Sequence, residues 1–371
     1  MINESVPERQ GAALVFLFII GNSFVFGLAR WAGRDLWLSF LVAIVLALPL
    51  ILVYGRLDTL MHGQSFSEGL HRLFGKWPSR LVALIYSFYA WRLGCLVTGN
   101  ITNFVQAVSL PDTPQVVMAS AYAILVLWAV KEGIEVLARF SSVMVIFVLL
   151  ILLTALALAT TEVDLQEFFP ILYDGFWPVF QGAFQLLDFP FLETVLLVGL
   201  ANALTTKKNS AYKVLIPGFL LAAFFLMLVA SASVAILGEE MYKITFFPVF
   251  LAIARIDIAL FLTRLEVVVG VTFAIGGFLK ISVCLLVASK NLAHALGFPD
   301  YRFLVTPLVL SIIPGSQWFA KSVMEMNLGA TKIAAFTDVM VQIVLPMIFW
   351  GVAEIRMSRV RKNKAGKPSG I

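Results

Sequence analysis

The chain has 371 residues, of which 60% are hydrophobic and only 13% are charged, and it carries a net charge of +5. A soluble domain of this length has roughly 45–50% apolar and about 25% charged residues, so the composition excludes an ordinary soluble protein and indicates an integral membrane protein. Its two cysteines, Cys95 and Cys284, are too few to form a disulfide framework.

Ten apolar runs predict ten transmembrane helices, since a helix needs about 20 apolar residues to cross the hydrocarbon core. The predicted spans are residues 11–29, 36–54, 82–107, 116–130, 140–160, 176–203, 214–237, 265–289, 303–320 and 333–353. The ninth is interrupted by Pro314-Gly315-Ser316. Segment 245–262 is apolar but contains a proline and two charges, which favours an interfacial or re-entrant helix over an eleventh span.

The distribution of basic residues predicts the orientation. With the N-terminus inside, the inner segments hold 18 of the 27 Lys and Arg residues and the outer loops hold 7. Positive charge accumulates on the cytoplasmic side, so both termini are expected there, with the basic tail 356–371 next to membrane lipid. No segment between spans is long enough to bury a core of its own, so residues 1–371 are expected to form one membrane domain.

Two spans carry polar interruptions. Span one has Gly21, Asn22 and Ser23 near its middle, and span six has Pro190, which cannot donate a backbone hydrogen bond. Spans one and six hold corresponding positions if the chain consists of two five-span repeats, 11–160 and 176–353. Discontinuous helices at matching positions are typical of an inverted-repeat transporter with a site at the midplane. The alternative is that both are ordinary kinks, because Gly and Pro are common in membrane helices.

Broken helices at membrane depth offer a binding site for a small zwitterion. Half-helix N-termini suit a carboxylate, and half-helix C-termini with their free carbonyls suit an ammonium. An amino acid fits both. The candidate ligand-binding residues are Gly21, Asn22, Ser23, Gln185, Asp188 and Phe189, and Tyr86, Tyr89, Thr98 and Asn100 of span three are candidates for the cavity wall or for simple contacts between helices.

Four charged residues lie well inside the predicted spans: Arg92, Asp188, Glu193 and Lys280. Each costs about 2.5–3.5 kcal/mol at a helix centre, so they are expected to pair with one another or to face water. Purely structural pairs are one interpretation, and a proton-coupling or cation-mimicking role for Lys280 is another. No phosphate-binding, metal-binding or catalytic motif is present, so no cofactor, metal, nucleic acid or enzymatic activity is expected.

Several segments in a fixed order make the chain resemble the spore germination permeases, which are the B-type subunits of endospore germinant receptors in the amino acid–polyamine–organocation superfamily. The segments are AGRDLWLS (32–39), LPDTP (110–114), KEGIEVLARF (131–140), FFPILYDGFWPVFQGAF (168–184), FLE (191–193) and TRLE (263–266). Glu193 and Glu266 stand at the family's recurrent acidic positions. The family's proline late in span one is missing here, so the first break is expected to have a different shape.

The resemblance implies an all-α fold of the LeuT type, with ten helices in a 5+5 inverted repeat and helices one and six unwound. It implies a receptor subunit that binds a small nutrient germinant, often an amino acid, and signals to A-type and C-type (lipoprotein) partner subunits in the spore's inner membrane. The alternatives are a working proton- or cation-coupled amino acid transporter, and a channel or structural membrane subunit.

Overall fold

The structure, a computed structural model, describes residues 6–61, 66–198, 200, 210–256, 266–319 and 335–365. This part of the chain is helical and contains no strand. The helices of the first half are α1 (Glu8–Ile20), α2 (Leu36–Met61), α3 (Phe66–Phe74), α4 (Lys76–Val108), α5 (Gln115–Glu132) and α6 (Ile134–Ala159). Those of the second half are α7 (Trp177–Leu186), α8 (Val195–Val198), α9 (Ser210–Leu237), α10 (Glu239–Ile244), α11 (Pro248–Ala254), α12 (Glu266–Leu296), α13 (Arg302–Phe319), α14 (Ala335–Val339) and α15 (Leu345–Ala365).

Seven helical segments of the described chain are long and apolar enough to cross a membrane: Arg30–Met61, Lys76–Val108, Gln115–Glu132, Ile134–Ala159, Ala211–Leu237, Val269–Leu296 and Phe336–Ser358. The protein is therefore a multi-pass membrane protein, and these segments match seven of the ten predicted spans. Spans one, six and nine do not appear among the seven, and spans one and six are broken into short pieces. The count of ten is thus confirmed in part.

Both predicted breaks are present. Helix α1 ends at Ile20, and residues 21–29 form turns that lead into a 3-10 helix at Arg30–Asp35. Helix α7 ends at Leu186, a π turn follows at Leu187–Phe191, and within it Phe189 has an extended backbone (φ −140°, ψ 119°). After the first break the chain continues as the 3-10 helix and then as α2, and the expectation that this break differs in shape from the family pattern stays a prediction.

Helix α1 forms the centre of the bundle. Its residues Leu14–Ile20 are at most 1% exposed, and α6, α9 and α12 pack around it. Such a helix, apolar on all sides, belongs in the interior. Helices α4 and α12 pack along each other next to it, whereas α6 directs the large apolar side chains Val143, Ile146, Phe147, Leu150 and Leu153 outward, as expected for a helix that faces lipid.

Both described chain ends lie at one end of the bundle, here called the terminal face. Glu8 at the start of α1 lies 4.0 Å from Lys213 on α9, and Arg56 on α2 forms a 2.6 Å salt bridge with Glu354 on α15. Helix α3 packs against α15 at the same end. The common position of the two ends agrees with the predicted even number of spans, while their cytoplasmic location remains a prediction.

An ion cluster ties three connecting segments together at the opposite end, here called the loop face. Arg34 donates to Glu239 Oε2 and to the carbonyl of Phe169, both at 2.6 Å, and Lys243 also pairs with Glu239. Asp35 accepts a hydrogen bond from the amide of Leu172 at 3.1 Å. These contacts join the 3-10 helix after the first break to the segment that enters α7 and to α10.

The structure gives different results for the predicted break at Pro314-Gly315-Ser316 and for the predicted interfacial or re-entrant helix in segment 245–262. The expected break at Pro314-Gly315-Ser316 is wrong, because α13 runs unbroken through Pro314. A proline removes only one backbone donor from the helix. Gly315 packs so closely against Cys95 of α4 that a Cβ on Gly315 would lie 2.5 Å from the cysteine sulfur. This close packing against protein holds the helix in place. In segment 245–262 the described part is the seven-residue helix α11, too short to cross a membrane, and residues 257–262 lie outside the described residues.

Replacing Gly276 should destabilise the fold. A Cβ at this position of α12 would lie 2.6 Å from the Cα of Gly21, so Gly276→Ala forces backbone to move at the first break. We expect a loss of about 1–3 kcal/mol, typical of overpacking. Gly270→Ala on the same helix is the control, because its nearest foreign atom is a Phe104 ring carbon at 3.8 Å. Thermal unfolding in detergent measures both variants; equal melting temperatures would contradict the close approach.

Acid should loosen the loop face through Glu239. Burial raises the pKa of the Glu239 carboxyl, but hydrogen bonds from Lys243 and Arg34 outweigh it and hold the pKa below its ordinary value. A lowered pKa stabilises the fold above the unfolded-chain value of about 4.3, and this stability is lost as the pH falls through the folded-state pKa. We expect Glu239→Gln to lower the melting temperature at pH 7 and to flatten its fall at acid pH. The exposed neighbour Glu240→Gln should behave as wild type.

Candidate functional site

The two helix breaks lie against each other and against α12. The first break touches α12 through Gly21 and Gly276, which have no side chains to separate the backbones. Phe26 after the first break and Phe189 in the second form an edge-to-face pair with ring centroids 6.4 Å apart. The sequence-predicted polar residues of spans one and six are therefore brought into one region of the bundle.

A buried ion pair joins these elements. Lys280 on α12 is 0% exposed at its side chain, and its Nζ donates to Oε2 of Glu193, which is 5% exposed and stands just after the second break. Lys280 also donates to Asn22 Oδ1 at 3.0 Å. One ammonium group thus holds the first break, the second break and α12 together.

Two aromatic rings complete the surroundings of this ammonium group. Lys280 Nζ lies 5.3 Å from the ring centroid of Phe18 and 5.0 Å from that of Phe189. Ring faces attract a cation, and the attraction is stronger where water is absent. The two rings therefore offset part of the cost of removing the charge from water.

Arg92 takes a partner that the sequence did not indicate. Its guanidinium forms a salt bridge with Asp338 of α14, and both side chains are largely buried, at 11% and 13% exposure. Arg92 also lies over the ring of Tyr89, 5.6 Å from its centroid. The expectation that the intramembrane charges pair is confirmed for Lys280 with Glu193, while Arg92 pairs outside the four residues that were considered.

A π turn at Met340–Val344 follows α14 in the chain and is hydrogen-bonded to the second break. Gln342 Nε2 donates to the hydroxyl of Tyr89 at 2.8 Å and to the backbone carbonyl of Asp188 at 3.1 Å. The backbone carbonyls of Val341 and Gln342 accept hydrogen bonds from Tyr86 and Tyr54. A π turn changes the helical hydrogen-bond register, which leaves carbonyls available for such outside donors.

Asp188 is the carboxylate of the region that has no salt bridge among the described residues. Its Oδ1 is buried without a hydrogen-bond partner there, and so is Oε1 of Gln185, one turn earlier on α7. Both acceptors stand at the C-terminal end of α7, where the helix dipole and the last carbonyls also favour a positive charge. On the first break, Asn22 is 1% exposed and its Nδ2 is a buried donor without a partner in the same part of the structure.

Other predicted site residues are occupied by contacts of their own. The Ser23 hydroxyl donates to the carbonyls of Ile19 and Ile20, and that of Thr98 to Gly94 within its own helix. Tyr86 and Tyr89 bond to the π turn, so they connect helices and do not face an open cavity. Asn100 is buried with its Oδ1 unpaired among the described residues. Glu266 begins α12, and its side chain lies outside the described residues.

Asp338, Gln342 and Tyr54 belong to the site although sequence reasoning missed them. Asp338 carried a usable signal, since it is a carboxylate within the tenth span 333–353. Gln342 and Tyr54 carried none, because a lone Gln or Tyr in an apolar run does not reveal its partner. No group of three metal-ligating side chains exists among the described residues. The region of the two breaks thus contains a buried donor, Asn22 Nδ2, and a buried acceptor, Asp188 Oδ1, that have no partners among the described residues.

Solved transporters share this architecture. Mhp1, a nucleobase-cation-symport-1 family transporter solved closed with bromovinylhydantoin bound, matches with a TM-score of 0.66 over 91% of this chain and 78% of its own length, at 11% identity. MhsT in complex with L-phenylalanine matches with a TM-score of 0.66 over 93% of this chain and 87% of its own length, at 14% identity. The fold is therefore that of the LeuT-type transporters, as predicted.

The sequence model of the spore germination proteins matches residues 5–320. The chain belongs to the spore germination protein family. Spore germination protein KB of Bacillus subtilis (strain 168) is 25% identical over 97% of both chains. The putative spore germination protein YfkT of the same organism is 21% identical over 86% of this chain and 87% of its own.

Removing Lys280 should cost far more than removing a surface partner. Lys280→Met leaves the buried Glu193 carboxylate unpaired, so we expect a loss of about 3–5 kcal/mol. Adding Glu193→Leu removes the stranded charge and should restore part of that stability. Arg56→Gln is the control, because its pair with Glu354 is more than a third exposed and contributes at most about 1 kcal/mol. Thermal unfolding of the four proteins in detergent tests this order; a double variant less stable than Lys280→Met would contradict it.

Proposed function

We propose that this protein is the membrane subunit of a spore germinant receptor, which binds a small nutrient germinant and triggers germination. The family match over residues 5–320 carries the proposal. A relative named as a spore germination protein extends along 97% of the chain, which supports the same role for the whole protein. The broken-helix fold supports a small-molecule ligand, since solved neighbours hold one.

The proposed ligand is an amino acid held between the two breaks. The unpaired Asn22 Nδ2 suits an oxygen of the ligand carboxylate, and the unpaired Asp188 and Gln185 oxygens suit the ammonium. In this proposal Phe189 and the turn at Gly21 to Ser23 also line the site. Arg92, Glu193 and Lys280 fix the surrounding helices, so their role in this proposal is to position the site.

The proposed signal is a change in how the two broken helices pack against the rest. A ligand shifts a conformational equilibrium only if it binds one state better. In the present state Lys280 joins both breaks, and the Asn22 Nδ2 donor and the Asp188 Oδ1 acceptor are buried. A ligand that engages both groups favours a state in which the breaks are arranged around it, and partner subunits read that state.

The proposal includes the cellular setting that the family implies. The partners are A-type and C-type (lipoprotein) subunits, the location is the spore inner membrane, and the terminal face is cytoplasmic. The excess of Lys and Arg in the segments assigned to that side supports this orientation. The subunit needs no cofactor and catalyses no reaction in this view.

Amino acid transport is the second candidate. It is favoured by the retained discontinuous helices and by the buried Lys280, placed where a coupling cation or proton would act. Purified protein in proteoliposomes separates the two: ligand binding without uptake under a pH gradient indicates a receptor, and concentrative uptake indicates a transporter. A channel or structural subunit would show neither.

Spores provide the test of the receptor role. Deleting the gene in its host should abolish germination in response to one class of nutrient, and the intact gene should restore it. We expect Asp188→Asn to insert normally yet to lower the nutrient response at least tenfold, because it removes the acid proposed to hold the ammonium. The exposed loop residue Asp112→Asn is the control and should respond as wild type. Full germination of the deletion strain toward every nutrient would overturn the proposal.

A further inference from the structure

Five charged side chains of the described residues form one intramembrane charge cluster: Arg92, Asp188, Glu193, Lys280 and Asp338. Lys280 is matched by Glu193, and Arg92 is matched by Asp338. Three carboxyl groups thus stand against two cations. If all five were ionised, the cluster would hold one negative charge in excess inside the membrane.

Asp188 is the group left over. Arg92 of α4 interacts with it electrostatically but forms its salt bridge with Asp338 of α14. Asp338 and Glu193 are like charges and repel it. The uncharged Gln342 donates to its backbone carbonyl and not to its carboxylate, and Tyr89 accepts the other hydrogen bond of that amide. Oδ1 of Asp188 therefore remains without a partner among the described residues.

A carboxylate whose Oδ1 is buried without a partner at this depth is costly to keep ionised, and a proton or a cation at that oxygen removes the cost. We propose that Asp188 carries a proton when the site is empty and that a ligand ammonium group replaces this proton on binding. The carboxyl O–H bond breaks, the proton leaves to water, and the carboxylate accepts hydrogen bonds from the incoming R–NH₃⁺. At the Asp188 carboxyl itself, one ammonium charge enters and one proton leaves, so that position stays balanced.

The exchange sets the chemical class of the ligand and rests on the proposed function for the identity of the site. A ligand must bring an ammonium group in place of the proton, with an oxygen acceptor for the Asn22 donor. Small primary amines and amino acids both carry the ammonium group, and the carboxylate of an amino acid adds a negative charge that faces the Asn22 donor. Sugars and simple carboxylic acids carry no ammonium group, and they can bind only without proton release.

Dicyclohexylcarbodiimide tests the empty site, because it modifies protonated carboxyl groups within membranes. On the full chain in detergent, we expect mass spectrometry to find the adduct on Asp188 and not on the ion-paired Glu193 or Asp338. Arg92→Gln frees Asp338 and should make it reactive, which shows that the reagent reaches the cluster. An unmodified Asp188 beside a reactive Asp338 in that variant would overturn the proposal, as would equal labelling of all three acids.

Infrared spectroscopy tests whether Asp188 is protonated without the need for the Arg92 variant. The C=O stretching band of a protonated carboxyl group should be present in wild type and lost in Asp188→Asn, which removes a lone acid and leaves both ion pairs intact. An identical spectrum for the two proteins would overturn the proton on Asp188.

Methylammonium chloride tests the exchange. It should protect Asp188 from the carbodiimide and release about one proton per protein in weakly buffered solution, and Asp188→Asn should release none. Potassium chloride at the same ionic strength is the matched control for methylammonium chloride. Equal protection by potassium would overturn an ammonium site in favour of an inorganic cation. Neither measurement uses spores or a germinant, so failure of the receptor role and failure of the proton exchange give separate results.

Discussion

The rest of the structure depends on the ion pair of Lys280 with Glu193. Two helices are unwound at membrane depth, where free backbone groups are tolerated only against protein or water. The ammonium of Lys280 is bonded to the side chain of Asn22 in one unwound segment and to Glu193 after the other, and its own helix packs along α4. The cost of taking both charges out of water offsets much of their mutual attraction. The contribution of the pair is to specify which two backbone breaks meet and where.

A second set of contacts joins this centre to the terminal face. Gln342 contacts the backbone of Asp188, and the polypeptide continues from its π turn into α15, which ends beside α2 and α3. The Arg56–Glu354 bridge fastens that helix near its middle. A movement at the second break therefore acts on one end of a helix whose other end lies at the terminal face. The structure provides physical continuity between the two places.

Much of the fold could be read from the sequence because its signals are local. Long apolar runs predict spans by their length, and Pro190 and the Gly21–Ser23 stretch mark breaks through the backbone chemistry of the residues themselves. The partner of Arg92 could not be read in this way. Asp338 lies 246 positions away in the chain, and their contact follows from helix packing that no local pattern encodes. The local rule also failed at Pro314, where tight packing on α4 keeps the helix whole. Gln342 became part of the site only through a π turn, which has no sequence signature.

The contact between Gly21 and Gly276 differs from the interlocked side chains of other helix pairs in how it resists movement. Side chains that interlock between two helices oppose sliding and rotation, because each movement must unpack them. Here two bare backbones touch, and the nearest polar connection is the flexible side chain of Lys280 reaching to Asn22. The first broken helix and α12 thus meet through a glycine backbone contact, with the Lys280–Asn22 hydrogen bond as the polar connection beside it. On this side α1 is held by a backbone contact and one polar side chain, whereas on its other sides interlocked side chains hold it.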